Sequence, residues 1–173
     1  MPLYSFEDAK PEVDPTAWIA PTAVLVGDVT VEENASVWYG CVLRADFGPI
    51  VVAAGANVQD NSVIHGGPAT TRVGEGATIG HQCVIHGSVI GKEALVGNGA
   101  TVQDGSVIGE RSLVAAGSLV APNSQIPDES LAMGSPAKTI GPLTPGARHW
   151  VEHNPLTYQE LARRHSAGVA RID

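Results

Sequence analysis

The chain has 173 residues, a formal net charge of -8 and a pI near 5.1. An acidic balance of that size offers no basic face for nucleic acid or for an anionic membrane surface, and no apolar run reaches transmembrane length. With 5% aromatic and 16% charged residues against 20 glycines, the core must be packed from small aliphatic side chains, and the partners left are small molecules and further copies of the chain.

Residues 1–18 carry Pro2, Pro11 and Pro15 and no clear period, which predicts an irregular lead-in or a short strand. Glu7 and Asp8 stand where a signal peptide wants basic residues, so a cytoplasmic location is expected. From Ile19 onward aliphatic residues recur every five or six positions, as Leu25, Val31, Val37, Val52, Val58, Val63, Val73, Ile79, Val84 and Ile90 show, and the pattern runs on to Ile126. A small residue commonly follows four places later, for example Ala35, Cys41, Ser62, Ala77 and Ser106.

A six-residue period fits neither a helix nor a long alternating strand. It fits an all-β solenoid in which three hexads make one triangular coil, coils stack through parallel hydrogen bonds, and Gly, Asn and Asp turn the corners. About six to seven coils fit between Ile19 and Ala137. Leu43 to Ile50 and His65 to Arg72 are too long for corners and are expected to project as loops. Cys41 and Cys83 lie in apolar runs with no CxxC partner, which predicts reduced core thiols.

The period stops after Gly134-Ser135-Pro136. Thr144-Pro145 and Asn154-Pro155 each read as an N-cap with proline at the first helical position, so two helices are expected, with Tyr158 in the first turn of the second. Leu156, Leu161 and Ala162 would give that helix its apolar stripe. The chain thus divides into a β-helix over 1–140, lead-in included, and a C-terminal helical segment over 141–173 packed on it.

Chemistry concentrates in one motif written twice, Val58-Gln-Asp-Asn-Ser-Val-Ile-His65 and Ile79-Gly-His-Gln-Cys-Val-Ile-His86, which holds three of the six histidines. His65 and His86 occupy the same address in successive coils and can share an ion. His81 has Asp60 as its equivalent one coil earlier and lies a face away from His86, since five extended residues cover roughly 16 Å. Zinc ligands lie only about 3.5 Å apart, so a neighbouring copy must supply the third imidazole, and a homotrimer is the simplest ring with equivalent sites. Such a site activates water to hydroxide near neutral pH, and hydration of carbon dioxide is the simplest reaction open to it. Imidazole suits Zn2+ but also Fe2+ or Co2+. His149 and His153, four apart on a helix, read as a solvated face rather than a second site.

The set Arg44-x-Asp46, Asn57-Val-Gln59-Asp60, His65 and Ile79-Gly-His81, with His86 five residues on, resembles the γ-class carbonic anhydrases of the hexapeptide-repeat superfamily, over roughly residues 10 to 165. The resemblance implies a left-handed parallel β-helix with a C-terminal helix, working as a homotrimer. It implies His65, His81 and His86 as metal ligands, Gln59 as the group orienting water or bicarbonate, and Arg44, Asp46 and Asp60 as a charged cluster at the subunit interface. Tyr158 matches a tyrosine that many members direct into the site. One departure stands out: Phe47 follows Asp46 and no glutamate occurs in 43–72, where strongly active members keep proton relays, so turnover is expected to be slow.

Plainer readings exist for each residue. Gln59 and Asp60 could hold corners, Arg44 with Asp46 could be a subunit salt bridge, and Tyr158 could only pin its helix. The carbonic anhydrase reading also competes with a metal-dependent acyl-CoA thioesterase, a metal-free acyltransferase with a histidine base, and a non-catalytic bicarbonate-binding homologue.

Overall fold

The protein is described by a computed structural model covering residues 2–173. Residues Trp18 to Ala132 wind into a left-handed parallel β-solenoid of about seven turns. Short strands, many only two residues long, stack in register: Ile19 pairs with Val37, Val37 with Val58, Val58 with Ile79, and Ile79 with Val96. These side chains form one inward column. Leu25, Leu43, Ile64, Ile85, Val102 and Val120 form a second, and all six are fully buried. Each such aliphatic side chain contributes roughly 1.5–3 kcal/mol when taken out of water, which is why strands this short persist without disulfides. The corners need left-handed backbone, adopted by Asn61 (φ 60), Asn123 (φ 61) and several glycines.

The stack is covered at both ends. Leu3–Tyr4 and Glu12–Val13 pair in parallel with Val24–Val31, so the lead-in supplies strands that extend the first coil. At the other end Ser130–Gly134 turns back antiparallel on Ala137–Pro142.

Four expectations are corrected. Leu43 to Ile50 is not a free loop: Val42–Val52 is one strand that crosses a corner, and its pairing shifts so that Gly27 meets Ala45 while Val29 meets Ile50. Only Asp46 to Pro49 bulges outward, because Leu43, Ala45 and Ile50 have an apolar interior to enter. Gly27 (φ 76) permits this, since a Cβ there would lie 2.3 Å from the Ala45 carbonyl oxygen. The second projection is likewise short, residues 66–70 between Val63–His65 and Thr71–Val73.

Third, the inward residues beside the histidines are Ile64 and Ile85, not Val63 and Val84, which are each 38% exposed. Adjacent aliphatics on a period-two strand must face opposite ways; the larger one took the core. Fourth, the C-terminal segment is a single helix, α1, Pro145–Gly168, with Pro155 inside it. Thr144 caps it, its side chain accepting from the Ala147 N–H at 3.2 Å. Asn154 starts no second helix, because Pro155 is itself part of the buried stripe Val151, Pro155 and Ala162 that docks on the stack. Docking a whole helix face outweighs the one backbone bond the proline removes. Leu156 points outward and Leu161 is only partly covered. No helix among the described residues is long and apolar enough to cross a membrane.

Candidate metal centre

The solenoid places Arg44, His65 and His86 in one column, Arg44 in register with His65 and His65 with His86. Adjacent strands are about 4.8 Å apart, and the two imidazole centroids lie 5.0 Å apart. His65 Nδ1 and His86 Nε2 approach to 3.1 Å. His81 lies one corner earlier, beside Asp60 and Tyr158. Among the described residues, no three His, Cys, Asp or Glu side chains of one chain lie together closely enough to hold an ion.

Each of the three histidines gives one ring nitrogen to a carboxylate; the opposite nitrogens of His65 and His86 face each other, and that of His81 faces the Tyr158 hydroxyl. His65 Nε2 faces Asp46 Oδ1 at 2.8 Å, His81 Nδ1 faces Asp60 Oδ2 at 2.9 Å, and His86 Nδ1 faces Asp104 Oδ1 at 2.8 Å. An ionised carboxylate only accepts, so the nitrogen it faces carries the hydrogen. In the neutral rings that leaves lone pairs on His65 Nδ1, His81 Nε2 and His86 Nε2. Two lone pairs 3.1 Å apart repel unless a proton or a metal ion lies between them; at zinc bond lengths of about 2.0–2.1 Å, ligand nitrogens sit close to that separation. Neutral imidazoles oriented by carboxylates are the usual supports of a bound divalent ion, so this donor set fits one.

The surrounding groups are fixed by their neighbours. Burial pushes the Asp46 carboxyl upward, but the bonds from His65 and Arg44 and the Arg44 charge outweigh it, leaving the group below the usual carboxylate range. Arg44 is hydrogen-bonded to Asp46. Burial, with a smaller push from the Asp60 charge, raises the Tyr158 hydroxyl above its ordinary value; Tyr158 therefore stays protonated and donates to His81 Nε2 at 3.3 Å. Its ring stands edge-on to Trp38, centroids 5.2 Å apart. Gln59 is buried and donates from Nε2 to Asn57 Oδ1 at 3.0 Å, while Asn57 donates to Thr78 Oγ1 at 2.9 Å. That ladder fixes which way the Gln59 amide points.

Between α1 and the stack, Gln59, His81 and Tyr158 open onto a cleft of about 410 Å³. Leu95, Leu113 and Trp150 make its apolar wall. The structure thus puts the expected site residues in two groups: Arg44, Asp46, His65 and His86 on one side, Gln59, Asp60, His81 and Tyr158 on the other. Sequence reasoning missed Asp104 and the apolar wall. For Asp104 a signal existed, because Val102-Gln-Asp-Gly-Ser-Val107 repeats the pattern of Val58-Gln-Asp-Asn-Ser-Val63.

The bacterial transferase hexapeptide (six repeats) family matches residues 70–104 and 87–122. The carnitine operon protein CaiE of Escherichia coli O157:H7 is 44% identical over 172 residues, 98% of this chain and 87% of that protein. Mitochondrial γ-carbonic anhydrase 1 of Arabidopsis thaliana is 39% identical over 176 residues, which cover 98% of this chain but 64% of the plant protein. Among solved structures, a Bacillus cereus protein provisionally called an acetyltransferase superposes with a TM-score of 0.93 at 36% identity, over 95% of this chain and 96% of that one.

Proposed function

Since this chain belongs to the hexapeptide-repeat family, alongside CaiE and similar to γ-carbonic anhydrase 1, we propose that it is a metal-dependent enzyme interconverting carbon dioxide and bicarbonate at sites shared between copies of a homotrimer. The observation that carries this is the pattern of three histidines, each held at one nitrogen by a carboxylate, with the opposite lone pairs of His65 and His86 turned to each other and that of His81 turned to the Tyr158 hydroxyl. His65 and His86 of one copy and His81 of the next complete the ligand set. A bound Zn2+, or Fe2+ or Co2+ in its place, supplies Lewis acidity that brings the pKa of water to about 7.

The chain's own residues do the rest. Leu95, Leu113 and Trp150 favour an uncharged, weakly hydrated substrate over water. Gln59, its amide locked by Asn57, hydrogen-bonds a substrate or product oxygen, and the Tyr158 hydroxyl sits beside His81 to do the same. Asp46, Asp60 and Asp104 each hold the N–H of one imidazole and so turn its opposite nitrogen toward the ion. Arg44, next to Asp46, balances the carboxylate charge.

A second reading, hydrolysis of an acyl-CoA thioester, is favoured by the cleft: about 410 Å³ is far more than carbon dioxide fills. Elemental analysis with stopped-flow hydration, wild type against His81→Ala, tests the first reading. Stoichiometric metal and hydration lost in the variant are expected. Metal-replete protein with no hydration above buffer, but chelator-sensitive turnover of acyl-CoA, would put the second in its place.

A further inference from the structure

Phe47 is the most exposed aromatic side chain of the solenoid, 71% in solvent, at the tip of the Asp46–Pro49 bulge. It is not a stray surface residue. Its ring stands edge-on to His65, centroids 5.9 Å apart, and the preceding Asp46 holds that same imidazole. Phe47 is therefore fixed to the half of the site that carries His65 and His86.

The apolar cleft belongs to the other half. His81 is in its lining, and Leu95, Leu113 and the largely exposed Trp150 form its wall. At about 410 Å³ it has room for roughly a dozen waters at ~30 Å³ each. Among the described residues no Asp, Glu, Lys or Arg lines it, and its polar groups are the uncharged Gln59, Asn98, Asn154 and Tyr158 beside His81, so a charged side chain inserted there would lose hydration without an opposite charge to pair with.

When His65 and His86 of one copy meet His81 of the next around one ion, their nitrogens come within about 3.5 Å. Phe47 and the neighbour's cleft then face each other across that point, one an uncovered aromatic knob and the other an uncovered apolar hollow. We propose that Phe47 of each copy inserts into the cleft of the adjacent copy, against Leu95, Leu113 and Trp150. This rests on the shared three-histidine site proposed above. The inserted ring does two things: it joins the copies beside each metal, and it takes up the space an acyl chain would need, leaving a pocket for a molecule the size of carbon dioxide. The position that offers no carboxylate for proton transfer thereby becomes a size filter.

The test is Phe47→p-benzoylphenylalanine, irradiated in the zinc-loaded protein, with native mass spectrometry of the same sample. The expected result is dimer-sized adducts on denaturing gels, mapping to peptides that contain Leu95, Leu113 or Trp150. Adducts confined to the chain that carries the probe, or none, in a sample that is trimeric and metal-bound would overturn the insertion while leaving the shared site standing. A metal-bound monomer would overturn the shared site, and the insertion with it. As a second measurement, Phe47→Ala is expected to raise the concentration for half-dissociation of the trimer at least tenfold; an unchanged value overturns the proposal.

Discussion

Replacing the carboxylates behind the histidines should weaken metal binding in an order set by their exposure. Asp60→Asn and Asp104→Asn keep shape and one acceptor oxygen but remove the charge that holds the ring N–H and makes the opposite nitrogen a better donor. Losing such a support typically lowers metal affinity by about 10–100-fold. Both contacts have similar lengths, 2.9 Å for His81 with Asp60 and 2.8 Å for His86 with Asp104, but the carboxylate side chains are 32% and 55% exposed. Water competes more fully for the more exposed group, so about tenfold is expected for Asp104→Asn and a loss nearer a hundredfold for Asp60→Asn. Competition against a chromophoric zinc chelator near neutral pH reads both constants. Equal affinities for wild type and variants, or the reverse order, would refute the assignment of these carboxylates as supports of the ligand rings.

Three further outcomes follow from the geometry. Ile85→Ala, between Ile64 and Val102 in a closed column, should cost about 3 kcal/mol and lower the melting temperature by roughly 9 °C; Val84→Ala, on the outer face, should cost under about 1 kcal/mol. A comparable loss at Val84 in calorimetry would mean the facing assignment is reversed. Burial pushes the Cys41 thiol up to about 12 and Cys83 to about 11, from 9.0. The unfolded thiols ionise first, so stability is fully present below pH 9 and falls by about 1.4 kcal/mol per pH unit per thiol as pH climbs toward those values. Urea titrations on either side of pH 9 measure that slope, and Cys41→Ala with Cys83→Ala should flatten it. Tyr158→Phe removes only a 3.3 Å bond to His81; unfolding should shift by no more than about 1 kcal/mol, while hydration kcat drops roughly threefold to tenfold. Unchanged kcat with lost stability would make Tyr158 a helix pin alone.

The amino-acid order by itself settled the solenoid, because a hexad of one large and one small inward residue fits no other regular backbone, and the register of the coils follows from it. His65 and His86 were likewise legible as neighbours: equal positions in equal repeats must stack. The same logic paired His81 with Asp60. It did not reach Asp104, which comes from a third coil and a different corner, although the repeated Val-Gln-Asp was there to be read. Which of two adjacent aliphatics faces inward, as in Val63-Ile64 and Val84-Ile85, is not marked by period, since either choice keeps the spacing. Only packed strands decide it. The single helix was also a tertiary result: Asn154-Pro155 carries a local signal to start a helix, and the docking of Val151, Pro155 and Ala162 on the stack overrides it. That docking creates the cleft beside His81, whose walls come from strands and helix far apart in sequence. Local pattern therefore fixed the repeat and the stacking of its histidines, while the shape around them waited on surfaces that exist only once the helix lies against the coils.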